Sequence, residues 1–307
     1  MNSAIVAQGP TAALAQPPEG FVRRHPVLSY YLLTFAISWG GFLLVGSPGL
    51  LSGTDCQTDP LFPVAILALL AGPAAAGLIL TGRISGRAGY RDLLARLGRW
   101  RVAARWYGVA LLTAPLLMTA SLAALSLFSA EFLPGFVTAS DRVSPLLLGL
   151  VFGPLGALVE ELGWTGFVIP RARRRYGVLP TGLLVGILWA AWHFLQGVWT
   201  SSAAARPVPP ALFVAVGFAA SYLLPYRVLM VWVYDQTNSL LVAVLMHASL
   251  IVSSISTFGL TPPAITGVSF LAMFLVFTIT EWVVVAVVAY LSRGTPARRT
   301  PSQEVGV

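Results

Sequence analysis

The sequence predicts an all-α, polytopic membrane protein with about eight transmembrane helices and both termini in the cytoplasm. Of its 307 residues, 57% are hydrophobic and only 10% are charged, whereas soluble domains carry about 25% charged residues. Apolar stretches recur that are long enough to cross about 30 Å of hydrocarbon, which takes about 20 helical residues. The alternating pattern of half-buried strands is missing from the sequence. Together these observations exclude a soluble enzyme of ordinary composition.

The chain divides into a membrane domain over residues 22–292 and two flanking segments. Residues 1–21 are small, polar and Pro-rich, and no basic stretch precedes an apolar run. We therefore expect a disordered cytoplasmic segment there rather than a signal peptide. Residues 293–307 have the same character and predict a disordered cytoplasmic tail. The expected spans are 27–47, 61–82, 105–129, 144–170, 180–199, 208–234, 239–258 and 266–291.

The loops predict the orientation. All 19 basic residues are Arg, and the net charge is +8. Arginines cluster before the first span and after the second, fourth and eighth, whereas the other loops carry mainly acidic residues. The positive-inside bias therefore predicts cytoplasmic termini. We expect a multi-pass protein of the cell membrane, in a bacterium the plasma membrane. The lipid bilayer is the expected partner of this charge, and nucleic acid is not. The single cysteine, Cys56, excludes an internal disulfide.

Residues 86–102 predict an amphipathic helix at the membrane surface. Leu93, Leu94, Leu97 and Trp100 share one face of this segment, and arginines surround them. A role as a surface brace is sufficient to explain the pattern.

Six Glu, His or Arg side chains lie well inside the predicted spans, away from their ends, where each costs roughly 2.5–3.5 kcal/mol on insertion scales. They are Glu160, Glu161, His193, Arg227, His247 and Glu281. Counted from the nearest cytoplasmic loop, the glutamate pair lies about 15 Å deep, His193 roughly 20 Å and His247 about 14 Å. Three helices therefore bring a carboxylate and two imidazoles to similar depth, which predicts a shared functional site.

Chemistry gives these residue types a common purpose. Two neutral imidazoles and a carboxylate can bind a metal, and a carboxylate can take a proton from a polarised water. A proton or ion pathway would use the same residues, so depth alone does not separate a protease from a transporter. No paired inverted repeats favour a transporter. The sequence also lacks the HExxH, GxSG and GxGD motifs of other intramembrane proteases.

The motifs around these residues resemble the CPBP family, which comprises type II CAAX prenyl proteases and bacterial intramembrane metalloproteases related to abortive-infection and immunity proteins. The resemblance rests on EELGWTGFVIPRARRRYGVLP, WAAWH and LVAVLMHAS, and covers about residues 143–258. It implies an intramembrane endopeptidase whose Glu160, Glu161, His193 and His247 activate water. It further implies that Glu160, His193 and His247 bind a divalent metal, Zn²⁺, and that the substrate is a membrane-associated peptide or protein. The alternative is an inactive family member acting as an immunity or scaffold protein.

Two positions depart from the family pattern. The motif arginine expected four residues after the glutamate pair is Thr165, and the motif Asn or Asp expected four residues after His247 is Ile251. Ser254 lies one turn further along the same helical face and is a candidate for supplying a hydroxyl.

Arg227 is not explained by the motifs. It follows Pro225, which we expect to kink the helix and turn the guanidinium inward. Three fates are open: pairing with Glu281, pairing with Glu161 in place of the motif arginine, or snorkelling to the interface. Of the two pairings, the one with Glu281 is preferred, because Glu281 has no other evident partner at its depth.

Small and aromatic residues near the site have simpler expected roles. Gly153, Gly156 and Gly163 predict close helix packing. The tryptophans at 164, 189 and 192 either line the site or pack beside it.

Overall fold

The computed structural model describes residues 20–56, 58–200, 221–254 and 267–291, together with positions 209, 212, 217 and 265. Within these ranges every regular element is a helix and there is no strand, which confirms the all-α membrane class. The main helices are α1 (Pro26–Ser52), α2 (Phe62–Leu97), α3 (Ala104–Ser126), α4 (Val143–Gly163), α5 (Val178–Trp192), α6 (Phe194–Thr200), α7 (Leu223–Thr237), α8 (Leu240–Ser254) and α9 (Gly267–Leu291). Shorter turns are Phe21–Arg24, Ala130–Phe132, Gly135–Thr138 and Ile169–Ala172, and a π-helix, Trp164–Val168, joins α4 to the last of them.

Five helices in the described part are long and apolar enough to cross a membrane, or six if α5 and α6, bent by 45°, form one span. Helices α7 and α8 have only 15 residues each, and α8 is apolar. Most of the predicted sixth span ahead of Leu223 lies outside the described residues, as do the flanking segments apart from Gly20 and Phe21. The count of eight spans and the cytoplasmic termini therefore stay predictions.

The helices pack around the pair formed by α4 and α8. Helix α8 lies against α3 and α4, α2 lies against α1 and α4, and α7 packs on α5 and α9. Aromatic and aliphatic side chains from these helices form one main core. This arrangement brings the three helices with the predicted site residues, α4, α5 and α8, to the centre of the molecule.

The predicted amphipathic segment is the end of α2, which bends at Gly86, where φ is 55°. Leu93 is buried against α8, whereas Leu94 and Trp100 are exposed. Arg96 is buried as well, because its guanidinium donates to the Tyr234 hydroxyl and the Gly166 carbonyl oxygen. The predicted apolar face is thus divided between the protein core and the surface, so the segment also closes one end of the bundle.

Glycines allow the helices around the site to approach closely. A Cβ on Gly77 of α2 would lie 2.9 Å from the Cα of Gly163 in α4, and a Cβ on Gly182 of α5 would lie 2.6 Å from the Cα of Val228 in α7. The packing role predicted for Gly163 is therefore confirmed. A Cβ on Gly153 would lie 3.0 Å from a side chain of α8, and a Cβ on Gly156 would lie 3.8 Å from one. Close packing therefore requires glycine less strictly at these two positions.

We expect Gly163→Ala to destabilise the fold by about 1–3 kcal/mol, the usual cost of overpacking a core. The new Cβ would collide with the Pro73 carbonyl oxygen and the Tyr30 hydroxyl. Gly108→Ala in α3 is the matched control, because a Cβ there meets nothing within 4 Å, and alanine gains about 0.5–1 kcal/mol over glycine in a helix. Thermal unfolding in detergent should therefore show opposite shifts, and equal shifts would refute this account of the α2–α4 contact.

Candidate active site

The two glutamates lie at the end of α4, immediately before the π-helix. Glu160 is 4% exposed and Glu161 is fully buried. Because neighbouring helical residues point about 100° apart, one carboxylate meets a donor on α5 and the other a donor on α7, while both approach α8. Short π-helical segments occur frequently at functional sites, and here the segment carries Thr165, whose hydroxyl donates to Glu161.

Glu161 is held from three sides. Nη1 of Arg227 donates to both of its oxygens at 2.9 Å. Nδ1 of His247 donates to Oε1 at 2.8 Å, and Thr165 donates to Oε2. A buried carboxylate is tolerated when it is paired and hydrogen-bonded in this way. Glu161 is therefore fixed in place, and its oxygens are occupied.

Glu160 is held differently. Nε1 of Trp189 in α5 donates to its Oε2 at 2.8 Å. Its other oxygen, Oε1, lies 4.0 Å from Nε2 of His247, which is too long for a direct hydrogen bond. A polar separation of this size is one that a water bound to both groups can bridge.

His193 lies at the bend between α5 and α6. Its Nδ1 donates to the Trp189 carbonyl oxygen at 2.9 Å, and its ring packs edge-on against Trp189 and Trp192. The side chain is half-buried and lines a cavity of about 250 Å³. The rest of the lining comes mainly from α6, from α9 and from the residues at and just before the start of α7, and includes Gln196, Thr200, Tyr222, Phe270 and Phe274.

The two histidines share one feature. In each ring Nδ1 donates to an oxygen, a carboxylate for His247 and a carbonyl for His193. In a neutral imidazole this leaves Nε2 as the acceptor. Hydrogen bonds at Nδ1 therefore select the ring nitrogen that each histidine offers to a ligand or water.

Trp189 contacts three of the four predicted site residues. Its indole lies 5.0 Å from the His247 ring and 5.6 Å from the His193 ring, between centroids, and it donates to Glu160. The Arg227 guanidinium lies 3.9 Å above the same indole, as a cation–π pair. The structure thus places Glu161 at 2.8 Å from one nitrogen of His247 and Glu160 at 4.0 Å from the other, and it packs His193 against the same tryptophan.

The preferred partner of Arg227 was wrong. Arg227 pairs with Glu161, the alternative prediction, and it is fully buried, so it does not snorkel. Both oxygens of Glu281 lack a hydrogen-bond partner among the described residues. Helix α7 begins at Leu223, so Pro225 lies in its first turn, where proline fits without kinking a helix. Gly186 of α5 lies close to the Cβ of Arg227 and lets the side chain enter between the helices.

The second departure from the motifs has no polar substitute in the described part of the chain. Ile251 is half-buried and packs beside the glycines of α4. The side chain of Ser254 lies outside the described residues. Arg227 and Thr165, in contrast, together occupy the surroundings of Glu161, where the motif arginine is missing.

The donor set and its arrangement give different answers about a metal. Two free Nε2 atoms and a carboxylate are the ligands that zinc prefers, and histidines that bind metals usually donate their other N–H as these do. Across the residues that the structure covers, however, no three His, Cys, Asp or Glu side chains are arranged to hold a metal ion. The side chains as placed therefore do not fit a metal, and no step below depends on one.

Comparisons with known proteins agree with the motifs. Residues 142–253 match the family model described as type II CAAX prenyl endopeptidase, Rce1-like. The curated protein CAAX prenyl protease 2 of Methanococcus maripaludis is 29% identical over 118 residues, which are 38% of this chain and 42% of that protein. This chain thus matches about two fifths of the length of that relative. The matched region of the family model contains all four predicted site residues.

Proposed function

We propose that this chain, a member of the CPBP family through residues 142–253, is an intramembrane endopeptidase that hydrolyses a peptide bond with a water activated by Glu160 and His247. One observation carries the proposal. Oε1 of Glu160 and Nε2 of His247 face each other across 4.0 Å, while the other polar atom of each side chain is held by a hydrogen bond. A carboxylate and an imidazole held this way are suited to bind and deprotonate one water.

The reaction follows from this arrangement. Water donates one hydrogen to Glu160 and the other to Nε2 of His247, so its lone pair is directed to the substrate. The water oxygen bonds to the carbonyl carbon while Glu160 takes the proton. The tetrahedral intermediate then collapses, the C–N bond breaks, and Glu160 returns the proton to the leaving amine. The products are a carboxylic acid and an amine.

His193 is the residue that meets the substrate in this proposal. It lines the 250 Å³ cavity, and its Nε2 is the free nitrogen. In its neutral form this nitrogen accepts a hydrogen bond from the substrate, such as one from the N–H of the scissile amide, and so helps to hold the peptide against the water. The aromatic walls formed by Tyr222 and α9 suit apolar side chains of a membrane-associated peptide or protein.

Glu161 serves as support in this mechanism. Its oxygens are occupied by Arg227, Thr165 and His247, so it does not contact the reacting atoms. By accepting from Nδ1 of His247 it fixes the tautomer that presents Nε2 to the water, as outer carboxylates do for catalytic histidines.

The multi-pass membrane location follows from the apolar helices and the family. We extend it to the bacterial plasma membrane, with the arginine-rich loops in the cytoplasm. Substrate prenylation is not part of the proposal, because the cavity walls suit apolar groups of many kinds.

A bound Zn²⁺ stays a prediction, and it is tested without an activity assay. If Glu160, His193 and His247 rearrange to bind zinc, saturating zinc raises the melting temperature of the purified protein. The shift should disappear in His193→Ala, whereas Glu281→Gln should keep it. A melting temperature that zinc does not change, together with less than stoichiometric metal by mass spectrometry, would exclude a zinc enzyme.

The proposed function is tested with purified protein in liposomes and a library of membrane-tethered peptides. Mass spectrometry of the products should reveal new termini that appear with wild-type protein and not with empty liposomes. If the wild-type protein cleaves no peptide of the library in any preparation, this result favours the alternative, an inactive immunity or scaffold protein.

A further inference from the structure

We infer that Arg227 is the positioning residue of this site: its guanidinium orients Glu161 so that His247 keeps the tautomer needed to bind the catalytic water. The inference rests on the proposed function for its catalytic meaning. Its structural part, the control of the His247 tautomer, can be tested independently.

A chain of hydrogen bonds links Arg227 to His247 through Glu161. Nη1 of Arg227 donates to both oxygens of Glu161, and Oε1 of the same carboxylate accepts from Nδ1 of His247. The carboxylate plane is therefore fixed by α7, while the imidazole that depends on it is on α8. Without the guanidinium, Thr165 alone would hold Glu161, and Nδ1 of His247 would lose an aligned acceptor.

Arg227 contacts both halves of the site, the half with Glu161 directly and the half with Glu160 through Trp189. Its Cζ lies 3.9 Å above the centroid of Trp189, the residue whose indole N–H holds Glu160. One buried side chain thus sets the positions of both carboxylates relative to each other. Arginine suits this because its planar guanidinium can stack and donate hydrogen bonds at the same time.

Only one of the three guanidinium nitrogens of Arg227 has a hydrogen-bond partner among the described residues. Nε and Nη2 of Arg227 have no hydrogen-bond partner among the described residues, although the side chain is fully buried. Buried unsatisfied donors are unfavourable for stability. Among the described residues, only Nη1 of Arg227 donates hydrogen bonds, and both go to Glu161. Orientation of that carboxylate explains this arrangement better than stabilisation of the fold does.

Position 165 offers a second place for the same charge. Thr165 lies four residues after Glu161 and already touches its carboxylate, so an arginine there is one helical turn from the group it must hold. Replacing Arg227 by glutamine removes the guanidinium and leaves volume for this side chain. The double variant Arg227→Gln with Thr165→Arg should therefore restore the orientation from α4.

The test is nitrogen NMR on full-length protein in nanodiscs, labelled with ¹⁵N at histidine. The chain has three histidines, so His→Gln variants assign the signals. In the wild type we expect His247 in the Nδ1–H form. In Arg227→Gln this form should be lost or mixed, and kcat for peptide cleavage should fall about 10–100-fold, the usual effect of losing a supporting partner, with KM nearly unchanged. The double variant should recover both, and Glu281→Gln should change neither.

The outcomes separate this inference from the proposed function. An unchanged His247 signal in Arg227→Gln overturns the inference, even if cleavage falls, since Arg227 would then be merely structural. If no variant, including the wild type, cleaves peptide, the proposed function fails, while the His247 signal still tests the positioning role. Should Arg227→Gln not fold, Arg227→Lys and the double variant take its place. Loss of the Nδ1–H form in both of these, which restore a positive charge, also overturns it.

Discussion

Replacing Glu160 by glutamine should reduce kcat for peptide cleavage by about 10²–10⁴-fold, the usual contribution of a general base. The amide oxygen can still accept from Trp189, so the geometry around position 160 is kept. The amide nitrogen, however, cannot take a proton from water. The measurement is the initial rate of cleavage of a fluorogenic peptide in liposomes, with thermal unfolding as the check on the fold.

Glu281→Gln is the matched control for this experiment. Glu281 is also fully buried in a membrane helix, and it has no hydrogen-bond partner among the described residues. We expect this variant to keep the wild-type rate. If Glu160→Gln and Glu281→Gln retain equal activity, the base lies elsewhere in the chain.

The largest expected effect on stability is at Glu161. Glu161→Leu removes the acceptor of Arg227 and leaves a buried guanidinium without a countercharge. Breaking a buried pair from one side typically costs about 3–5 kcal/mol. The free energy of unfolding, measured in mixed micelles by denaturant titration, should fall by this amount.

The double variant Glu161→Leu with Arg227→Leu distinguishes pairing from simple loss of packing. Because removing both charges also removes their desolvation cost, the double variant should regain most of the lost stability. Additive losses from the two single changes would contradict the ion pair. Activity should not return, since Nδ1 of His247 still lacks its acceptor.

The sequence was informative about the site because each of its residues carries a separate signal. Ionisable side chains in apolar helices are costly, so Glu160, Glu161, His193 and His247 stand out individually. Counting residues from the loops then gives the depth of each group. The motifs add their order and spacing, and residues 142–253, which contain all of them, match a type II CAAX prenyl endopeptidase family model. The roles of the four residues and the bound metal remain proposals.

Depth could not identify the partner of Arg227. Glu281 and Glu161 lie at similar predicted levels, and only the rotation and packing of the helices decide which one the guanidinium meets. In the structure the close approach of α5 and α7 at Gly182 and Gly186 turns Arg227 toward α4. The glycine spacing on α5 was the signal available in the sequence, but it does not name the helix that fills the groove.

Similar limits explain the other differences. The apolar face of residues 86–102 was predicted as a surface feature, yet Leu93 and Arg96 are buried because α8 and the π-helix pack against them. The π-helix itself has no sequence signature that we used. Trp189 was predicted to line the site or pack beside it, and its contacts with Glu160, His193, His247 and Arg227 arise only from the assembled helices.

The central claim is that Glu160 and His247 direct a water at a peptide bond, and cleavage in H₂¹⁸O tests it most directly. Wild-type protein should release a fragment whose new carboxyl group carries ¹⁸O, at a rate that depends on Glu160. Two results would contradict the account. One is cleavage that is equally fast with Glu160→Gln, and the other is a peptide that stays intact with wild-type protein at every lipid composition tested.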